Sequence, residues 1–306
     1  MAQIRSLDQL VADLKGRPSR RVAVAAGHDE NTIQAAAQAA AEDIANVTLV
    51  GDKERIAALC RQYDLDLGVF TVIDQPDEAR AGAEAVRLVR AGEADVLMKG
   101  LIGTDKYMRL ILDKQKGLLP KKAVLSHVTV LDVPAYREAH DKLLIVSDVA
   151  IIPDPDLPTK LKIVQYVIDA AHAFGIAEPK VALLAATEKV NPKMIACTDA
   201  ALITQMNRRG QIKGAVIDGP LALDVACSPE ACEIKGLDSP VGGAADCLVF
   251  PNIETGNVFY KGMTILSGAR LAAAVVGTTA PCVLTSRADS EESKFLSIAL
   301  GCRLAG

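Results

Sequence analysis

Two polar residues that suit an anionic ligand follow the last predicted strand of the chain. In PCVLTSRADS, Ser286 and Arg287 come after the apolar run 282–285, and Asp289 and Ser290 form a predicted helix cap. A guanidinium binds phosphate through two parallel hydrogen bonds, and a neighbouring hydroxyl can stabilise an oxyanion. The pair predicts a phosphoryl clamp; the alternative is that Arg287 forms only a surface ion pair.

A lysine and two glycines follow another predicted strand. In MKGLIGTDKYMR, Lys99 comes directly after residues 95–98, and a helix is expected to begin near Thr104. Gly100 and Gly103 permit close approach of the backbone, and backbone N–H groups at a helix start suit a phosphate. A plain strand-to-helix turn with a solvated lysine explains the segment equally well.

A serine and a histidine interrupt the apolar run LSHVTV. His127 could be a general base near neutral pH or a hydrogen-bonded core residue, and the strand context by itself favours the core. Ser126 precedes it in the same strand.

The segment FPNIETGNVFYKG opens a predicted helix with small and amide residues. Asn252 and Thr255 at a helix start indicate capping. Gly256 and Asn257 follow inside the first turn, where helix propensity disfavours them. Close approach of a ligand therefore explains the segment at least as well as capping does.

The common catalytic fingerprints are absent from the sequence. It contains no dinucleotide, P-loop, zincin or hydrolase motif, and its seven cysteines form no C-x-x-C pair. The cysteines indicate reduced thiols, and Cys282, in apolar company, is predicted to be structural rather than nucleophilic. These absences argue against a standard dinucleotide-binding protein, P-loop protein, zincin or hydrolase.

Composition limits the possible partners and compartments. The chain carries a formal net charge of −4, so it lacks the positive field that nucleic acid or an anionic membrane would require. The first 17 residues lack an apolar signal core, and the apolar stretch 271–284 is broken by glycine, threonine and proline. These features predict a soluble, cytoplasmic protein.

The candidate residues require strands that present them at one edge. Short β-branched runs alternate with Ala-rich helical stretches, which is typical of parallel strands joined by crossover helices. Such open α/β sheets bind ligands at the carboxyl ends of their strands. The pattern predicts strands at 21–25, 47–50, 69–73, 95–98, 123–130, 180–185, 214–218, 247–250, 273–276 and 282–285, a pair of strands around 143–152, and helices at 29–42, 53–63, 77–91, 159–174, 199–209, 254–271 and 290–300.

Chain length predicts two α/β lobes, since 306 residues exceed the usual limit of one core. The proline-rich segment PDPDLP, residues 153–158, suits a crossing between lobes. We therefore place residues 1–150 in the first lobe and 151–277 in the second. On pattern alone the remaining 278–306 fit either lobe.

Taken together, these segments resemble the phosphate acetyl/butyryltransferase family, most closely its butyryltransferase branch. SDVAIIPDPD, LLAATEKVNPKM and VIDGPLALDVA add to the likeness, which covers nearly the whole chain. The most specific motifs are TSRADS and PNIETGN with the downstream YKG.

The resemblance implies a particular fold and assembly. It implies two three-layer α/β/α lobes of the isocitrate/isopropylmalate-dehydrogenase-like type, with the active site in the interlobe cleft. It also implies a homodimer, and it assigns residues 278–306 to the first lobe.

The implied reaction is the exchange of a butyryl or other short acyl group between coenzyme A and inorganic phosphate. Acyl-CoA, CoA, phosphate and acyl phosphate would then be the ligands, with CoA a substrate rather than a resident cofactor. The alternatives are acetyl-CoA as the preferred substrate, a two-lobed NAD-dependent dehydrogenase, and a non-catalytic sensor.

The resemblance also implies roles for individual residues. Ser286 and Arg287 match the family's catalytic Ser-Arg pair, and Asp289 or His127 could be the general base. The implied phosphate- or CoA-binding residues are Lys99, Gly100, Ser126, Asn252, Thr255, Gly256, Asn257 and Lys261.

Two departures from acetyl-type members concern charge. Those members carry an aspartate several residues after the Ser-Arg pair, where this chain has Glu292 or Ser293. They also place an arginine near the position of Val124, and Lys99, Lys121 or Lys122 could supply that charge.

Overall fold

The computed structural model describes residues 2–285 and 289–306, a mixed α/β structure. The chain divides into two compact units. The terminal unit comprises Leu7–Leu125 and Leu271–Gly306, and the central unit comprises Met1–Ser6 and Ser126–Arg270.

The described residues form twelve α-helices and eleven strands. In chain order, those up to residue 125 are α1 (Leu7–Lys15), β1 (Arg20–Ala25), α2 (Glu30–Ala41), β2 (Ala45–Gly51), α3 (Lys53–Gln62), β3 (Phe70–Asp74), α4 (Glu78–Arg90), β4 (Val96–Lys99) and α5 (Thr104–Leu112). The following ones are β5 (Ser126–Asp132), α6 (Pro134–His140), β6 (Leu144–Ser147), α7 (Leu157–Ala173), β7 (Lys180–Leu184), α8 (Ile195–Arg208), β8 (Val216–Leu221), α9 (Leu223–Cys227), α10 (Pro229–Ile234), β9 (Cys247–Val249) and α11 (Ile253–Leu266). The last are β10 (Arg270–Val276), β11 (Cys282–Val283) and α12 (Glu291–Leu304).

In the terminal unit the strand order is β3-β2-β1-β4-β11-β10, parallel except for β10. Met98 of β4 pairs with Val24 of β1 on one side and Val283 of β11 on the other. The hydroxyl of the buried Tyr107 lies 3.2 Å from the carbonyl oxygens of both Leu97 and Val283, which share its single proton. The carboxyl ends of β1, β4 and β11 therefore lie at one edge of this sheet.

In the central unit the strand order is β5-β6-β9-β7-β8. The strands β6, β9, β7 and β8 are parallel, whereas β5 is antiparallel to β6. Leu131 pairs with Leu144 and Thr129 with Val146, so the beginning of β5 lies beside the end of β6. Residues 126 and 127 thus reach the same edge as the carboxyl ends of β6 and β9.

Aspartate side chains cap the N-termini of several helices. Asp29, Asp52, Asp77 and Asp156 each accept a hydrogen bond from the backbone N–H three residues later, at the starts of α2, α3, α4 and α7. Such caps satisfy N–H groups that the first turn leaves unpaired. Most of the predicted elements are found within a few residues.

The structure differs from the predicted elements in three places. Residues 143–152 form one strand rather than two, because Asp148 binds the backbone N–H groups of Ala150 and Ile151 and turns the chain. The predicted helix 254–271 ends at Leu266, and Gly268 has a positive φ of 65°. Four helices, α1, α6, α9 and α10, were not predicted.

The boundaries of the two units also differ from those of the predicted lobes. Residues 126–150 join the central unit because β6 pairs with β5 and β9. Residues 271–277 join the terminal unit because β10 pairs with β11. The segment 153–158 lies within the central unit, where Asp156 caps α7. No helix among the described residues combines the length and apolar character needed to cross a membrane.

Candidate active site

Asp148, just after β6, is the centre of a hydrogen-bond network at the carboxyl edge of the central unit. Its Oδ2 atom accepts from Ser126 Oγ at 2.8 Å and from the His127 N–H at 3.0 Å. Its Oδ1 atom accepts from the N–H groups of Ala150 and Ile151, both at 2.8 Å. The residue is 3% exposed. Four donors offset the cost of burying this carboxylate.

The network buries both residues that the sequence singled out in β5. Ser126 is fully buried, and its Oγ atom lies 3.3 Å from Ser147 Oγ. His127 is 6% exposed, and its Nδ1 atom lies 3.1 Å from Thr129 Oγ1. Both residues therefore serve the core of the unit, at the edge where a ligand of the sheet would bind.

Asn252 caps α11 at the same edge. Its Oδ1 atom accepts from the Thr255 N–H at 3.0 Å and from Thr255 Oγ1 at 2.7 Å. In the described part of the chain, the Asn252 Nδ2 amide has no hydrogen-bond acceptor. Capping therefore uses the oxygen of this side chain and leaves its amide donors available to an anion.

Gly256 and Asn257 fix the first turn of α11 against the segment 149–153. A Cβ atom at Gly256 would overlap with the Asp148 carbonyl oxygen and would lie 3.2 Å from Val149 Cα. Asn257 Nδ2 donates to the Val149 carbonyl at 3.0 Å. Packing thus explains both residues, which the sequence had suggested as sites of ligand approach.

Lys261 is not brought to this cluster. It is exposed and follows Asn252 by nine residues, about 13 Å along the helix axis. Its Nζ atom lies 6.0 Å from the ring centroid of Tyr260.

In the terminal unit, Lys99 ends β4 with its side chain buried. It pairs with Ala25 of β1, is 2% exposed, and donates from Nζ to the Gly100 carbonyl at 3.3 Å. Lys121 and Lys122, the other lysines considered for an arginine replacement, are exposed. A buried ammonium at a strand end is the stronger phosphate ligand, because little water screens it.

Three backbone N–H groups of the segment after Lys99 are already engaged. The N–H groups of Gly100 and Leu101 donate to the carbonyls of Ala25 and Ala26 at 2.9 and 2.8 Å. The Gly103 N–H donates to Glu78 Oε1 at 2.6 Å. These donors are occupied, and a carboxylate at the start of α5 repels a phosphate. Lys99 remains a candidate phosphate donor from this segment.

The predicted clamp residues Ser286 and Arg287 lie outside the described residues. Asp289, the next residue described, is partly buried, and its carbonyl accepts from Asn31 Nδ2 at 3.3 Å. The end of the TSRADS segment is thus tied to the first turn of α2.

The sequence reasoning missed two buried charges. Lys294, in the first turn of α12, donates to Asp29 Oδ1 at 3.2 Å and to Thr32 Oγ1 at 3.3 Å. The sequence signal that could have identified this buried charge is a lysine within the apolar run KFLSIAL. Asp148 lies inside SDVAIIPDPD, where no local pattern distinguishes it from the other aspartates.

Cys282 fits the structural role predicted for it. Burial raises the pKa of its thiol to about 12, so the thiolate is scarce at neutral pH. All seven cysteines are free thiols.

Replacing Gly256 with alanine tests the packing of α11 on its neighbouring segment. The added methyl group displaces the first turn, so Gly256→Ala should lower the free energy of unfolding by about 1–3 kcal/mol in urea. Gly262→Ala, on the same helix with open space around the new Cβ, should raise it by about 0.5–1 kcal/mol. Equal effects of the two substitutions would refute the close approach at Gly256.

The buried imidazole of His28, just after β1, predicts a pH dependence of stability. Burial lowers the pKa of His28, the nearby charge of Arg55 lowers it further, and Nδ1 accepts from the Asp52 N–H at 3.4 Å. The unfolded chain therefore takes up a proton first, so stability should be full above about pH 6.5 and fall as the pH drops below that value. Urea midpoints at pH 8 and pH 5.5 should differ less in His28→Asn than in the wild type. An unchanged difference would contradict this role.

Comparison with known proteins places the chain in a family. The model of the phosphate acetyl/butaryl transferase family matches residues 6–85 and 78–302. Phosphate butyryltransferase of Clostridium acetobutylicum is 43% identical over 303 residues, 99% of each chain. Phosphate acetyltransferase of Thermotoga maritima is 40% identical, over 98% of this chain and 99% of that protein.

A solved structure agrees with these relatives. The branched-chain phosphotransacylase from Enterococcus faecalis V583 is similar with a TM-score of 0.81 and 33% identity, over 94% of this chain and 99% of that one. These likenesses do not favour the dehydrogenase alternative. The chain is a member of the phosphate acetyl/butyryltransferase family of enzymes.

Proposed function

We propose that this enzyme transfers a short acyl group between coenzyme A and inorganic phosphate, with butyryl-CoA as a preferred substrate. The observation that carries the proposal is the family match over residues 6–302, which includes the TSRADS and PNIETGN segments. Acetyl-CoA is the second candidate substrate, favoured by the Thermotoga maritima relative.

The reaction is a direct acyl transfer. The CoA sulfur, once deprotonated, attacks the carbonyl carbon of the acyl phosphate, the carbon–oxygen bond breaks, and phosphate leaves with the bonding electrons. In the reverse direction a phosphate oxygen attacks the thioester and the thiolate leaves. The reaction needs charge stabilisation on the phosphate and on the carbonyl oxygen, together with orientation of the two reactants.

Four residues supply these functions in the proposed mechanism. Arg287 binds the phosphoryl group and stabilises its charge, and Ser286 donates to the carbonyl oxygen or the thiol. Lys99 and Asn252 orient the phosphate. The burial of Lys99 and the available amide of Asn252 support these last two roles.

Two residues are candidates for the base that deprotonates CoA. Asp289 follows the clamp by two residues, and Asn31 holds its backbone carbonyl. His127 offers an imidazole, and its Nδ1 atom lies 3.1 Å from Thr129 Oγ1. Either would act on the thiol proton in the forward reaction.

The remaining expectations are proposals from the resemblance. CoA is a substrate and no resident cofactor is required. The protein acts in the cytoplasm as a homodimer of two-lobed, dehydrogenase-like subunits.

The first test is phosphate-dependent release of free thiol from acyl-CoA esters. With acetyl- to octanoyl-CoA, we expect release only when phosphate is added, with the highest kcat/KM for butyryl-CoA. Release without phosphate would indicate a thioesterase. No release from folded protein would contradict the proposed reaction, and a preference for acetyl-CoA would favour the second candidate.

Substitution of Arg287 tests the clamp. Arg287→Gln should lower kcat about 100-fold or more, because an oxyanion ligand is lost, with little change in the urea midpoint. Arg287→Lys should recover part of the rate, since it keeps the charge but loses the two-pronged geometry. Arg61→Gln, an exposed position on α3, is the matched control and should retain full activity. Near-normal turnover in Arg287→Gln would overturn the assignment.

A further inference from the structure

A small apolar cavity lies at the carboxyl edge of the central unit. Leu184 ends β7 and Val249 ends β9, and both residues line the cavity. Phe250 and Pro251, which directly follow β9, line it as well. Open α/β sheets bind their ligands at the carboxyl ends of the strands, so the cavity lies where a ligand is expected.

Helices α7 and α8 form the opposite side of the cavity. Lys160 belongs to the first turn of α7 and Ala196 to the first turn of α8, and each of these helices follows a strand that ends at the carboxyl edge. Ala200 and Ile203 continue the wall along α8, where they are 3% and 0% exposed. Apart from Lys160, the lining side chains are apolar. An aliphatic chain is therefore the matching occupant.

The cavity is small, with room for about one group of the size of a water molecule or a methyl group. Its walls are firmly packed: the Phe250 ring contacts that of Phe259, with centroids 5.2 Å apart, and Leu183 is 3% exposed. Closely packed walls yield little to a larger occupant. The cavity thus suits the end of a short chain and excludes a long one.

A buried ion pair borders the cavity. Lys160 Nζ donates to Asp199 Oδ2 at 2.7 Å, and the two residues are 5% and 8% exposed. Each charge compensates the other, so an apolar group pushed between them would leave two buried charges unpaired. The pair therefore limits how deep an apolar chain can reach.

We infer that this cavity receives the end of the acyl chain, and that Ala196 and Leu184 set the chain length. The inference rests on the proposed function. Pro251 of the cavity wall is bonded to Asn252, the residue proposed to orient the phosphate. In an acyl phosphate, the chain and the phosphate are attached to the same carbonyl carbon. One ligand can therefore place its phosphate at Asn252 and its chain in the neighbouring cavity.

The arrangement explains a preference for butyryl over acetyl groups. Acetyl has one carbon beyond its carbonyl, whereas butyryl has three, so butyryl reaches further into the cavity. Each methylene in an apolar pocket changes kcat/KM about tenfold or more. The walls next to the chain are then the residues that determine specificity.

Narrowing the cavity tests the inference. Ala196→Val adds two methyl groups to the wall and should lower the ratio of kcat/KM for butyryl-CoA to that for acetyl-CoA about tenfold or more. The ratio does not depend on the fraction of folded enzyme. Ala201→Val is the matched control, because both alanines are half-buried on α8 but Ala201 lies on another side of the helix. Its ratio should equal that of the wild type.

Enlarging the cavity tests it in the opposite direction. Leu184→Ala should raise the ratio of kcat/KM for hexanoyl-CoA to that for butyryl-CoA about tenfold. Leu131→Ala, which truncates a buried leucine of β5 in the same unit, is the control for loss of stability and should leave this ratio unchanged.

The outcomes separate the inference from the reaction on which it rests. An unchanged butyryl-to-acetyl ratio in Ala196→Val, an equal change in Ala201→Val, or an unchanged hexanoyl-to-butyryl ratio in Leu184→Ala would overturn the role of the cavity and leave the proposed reaction standing. A folded wild type that releases no thiol from any of these esters in the presence of phosphate would refute the reaction, and the inference with it.

Discussion

The buried carboxylate of Asp148 is the constraint on which the central unit's functional edge depends. Its two oxygens join the start of β5 to the segment after β6 through Ser126, His127 and two backbone N–H groups. The backbone of the same residue leaves no room for a side chain at position 256. One residue thus fixes a strand start, a turn and a helix start, and the loss of a donor would leave its buried carboxylate less well compensated.

In the terminal unit, the buried charges near the sheet edge are cations instead of a carboxylate. Lys99 is buried at the end of β4, and Lys294 is buried against Asp29 at the start of α2. The N–H groups of Gly100, Leu101 and Gly103 are already engaged, and this edge also presents the side-chain charge of Lys99.

The sequence predicted the alternating α/β elements well, because period and turn residues are local signals. It placed Lys99 and Asn252 correctly at strand ends for the same reason. It could not find the role of Asp148, which depends on the antiparallel pairing of β5 with β6 across the intervening residues. Gly256 looked like a ligand contact because its real neighbour is about a hundred residues earlier in the chain. The proline-rich segment 153–158 resembled a crossing between lobes, but composition does not distinguish that from a turn before a helix.

The terminal unit is built from two separate stretches of the chain, so its sheet cannot be completed until the end of synthesis. Its strands β1 to β4 are made first, but β4 pairs with β11, which emerges only after the entire central unit. Until then the growing chain has an apolar strand with one unpaired side, the kind of edge that recruits other chains. The central unit, continuous from Ser126 to Arg270, has all its strands before that edge is closed. The last 36 residues therefore complete a core whose other parts precede them in the chain by at least 145 residues.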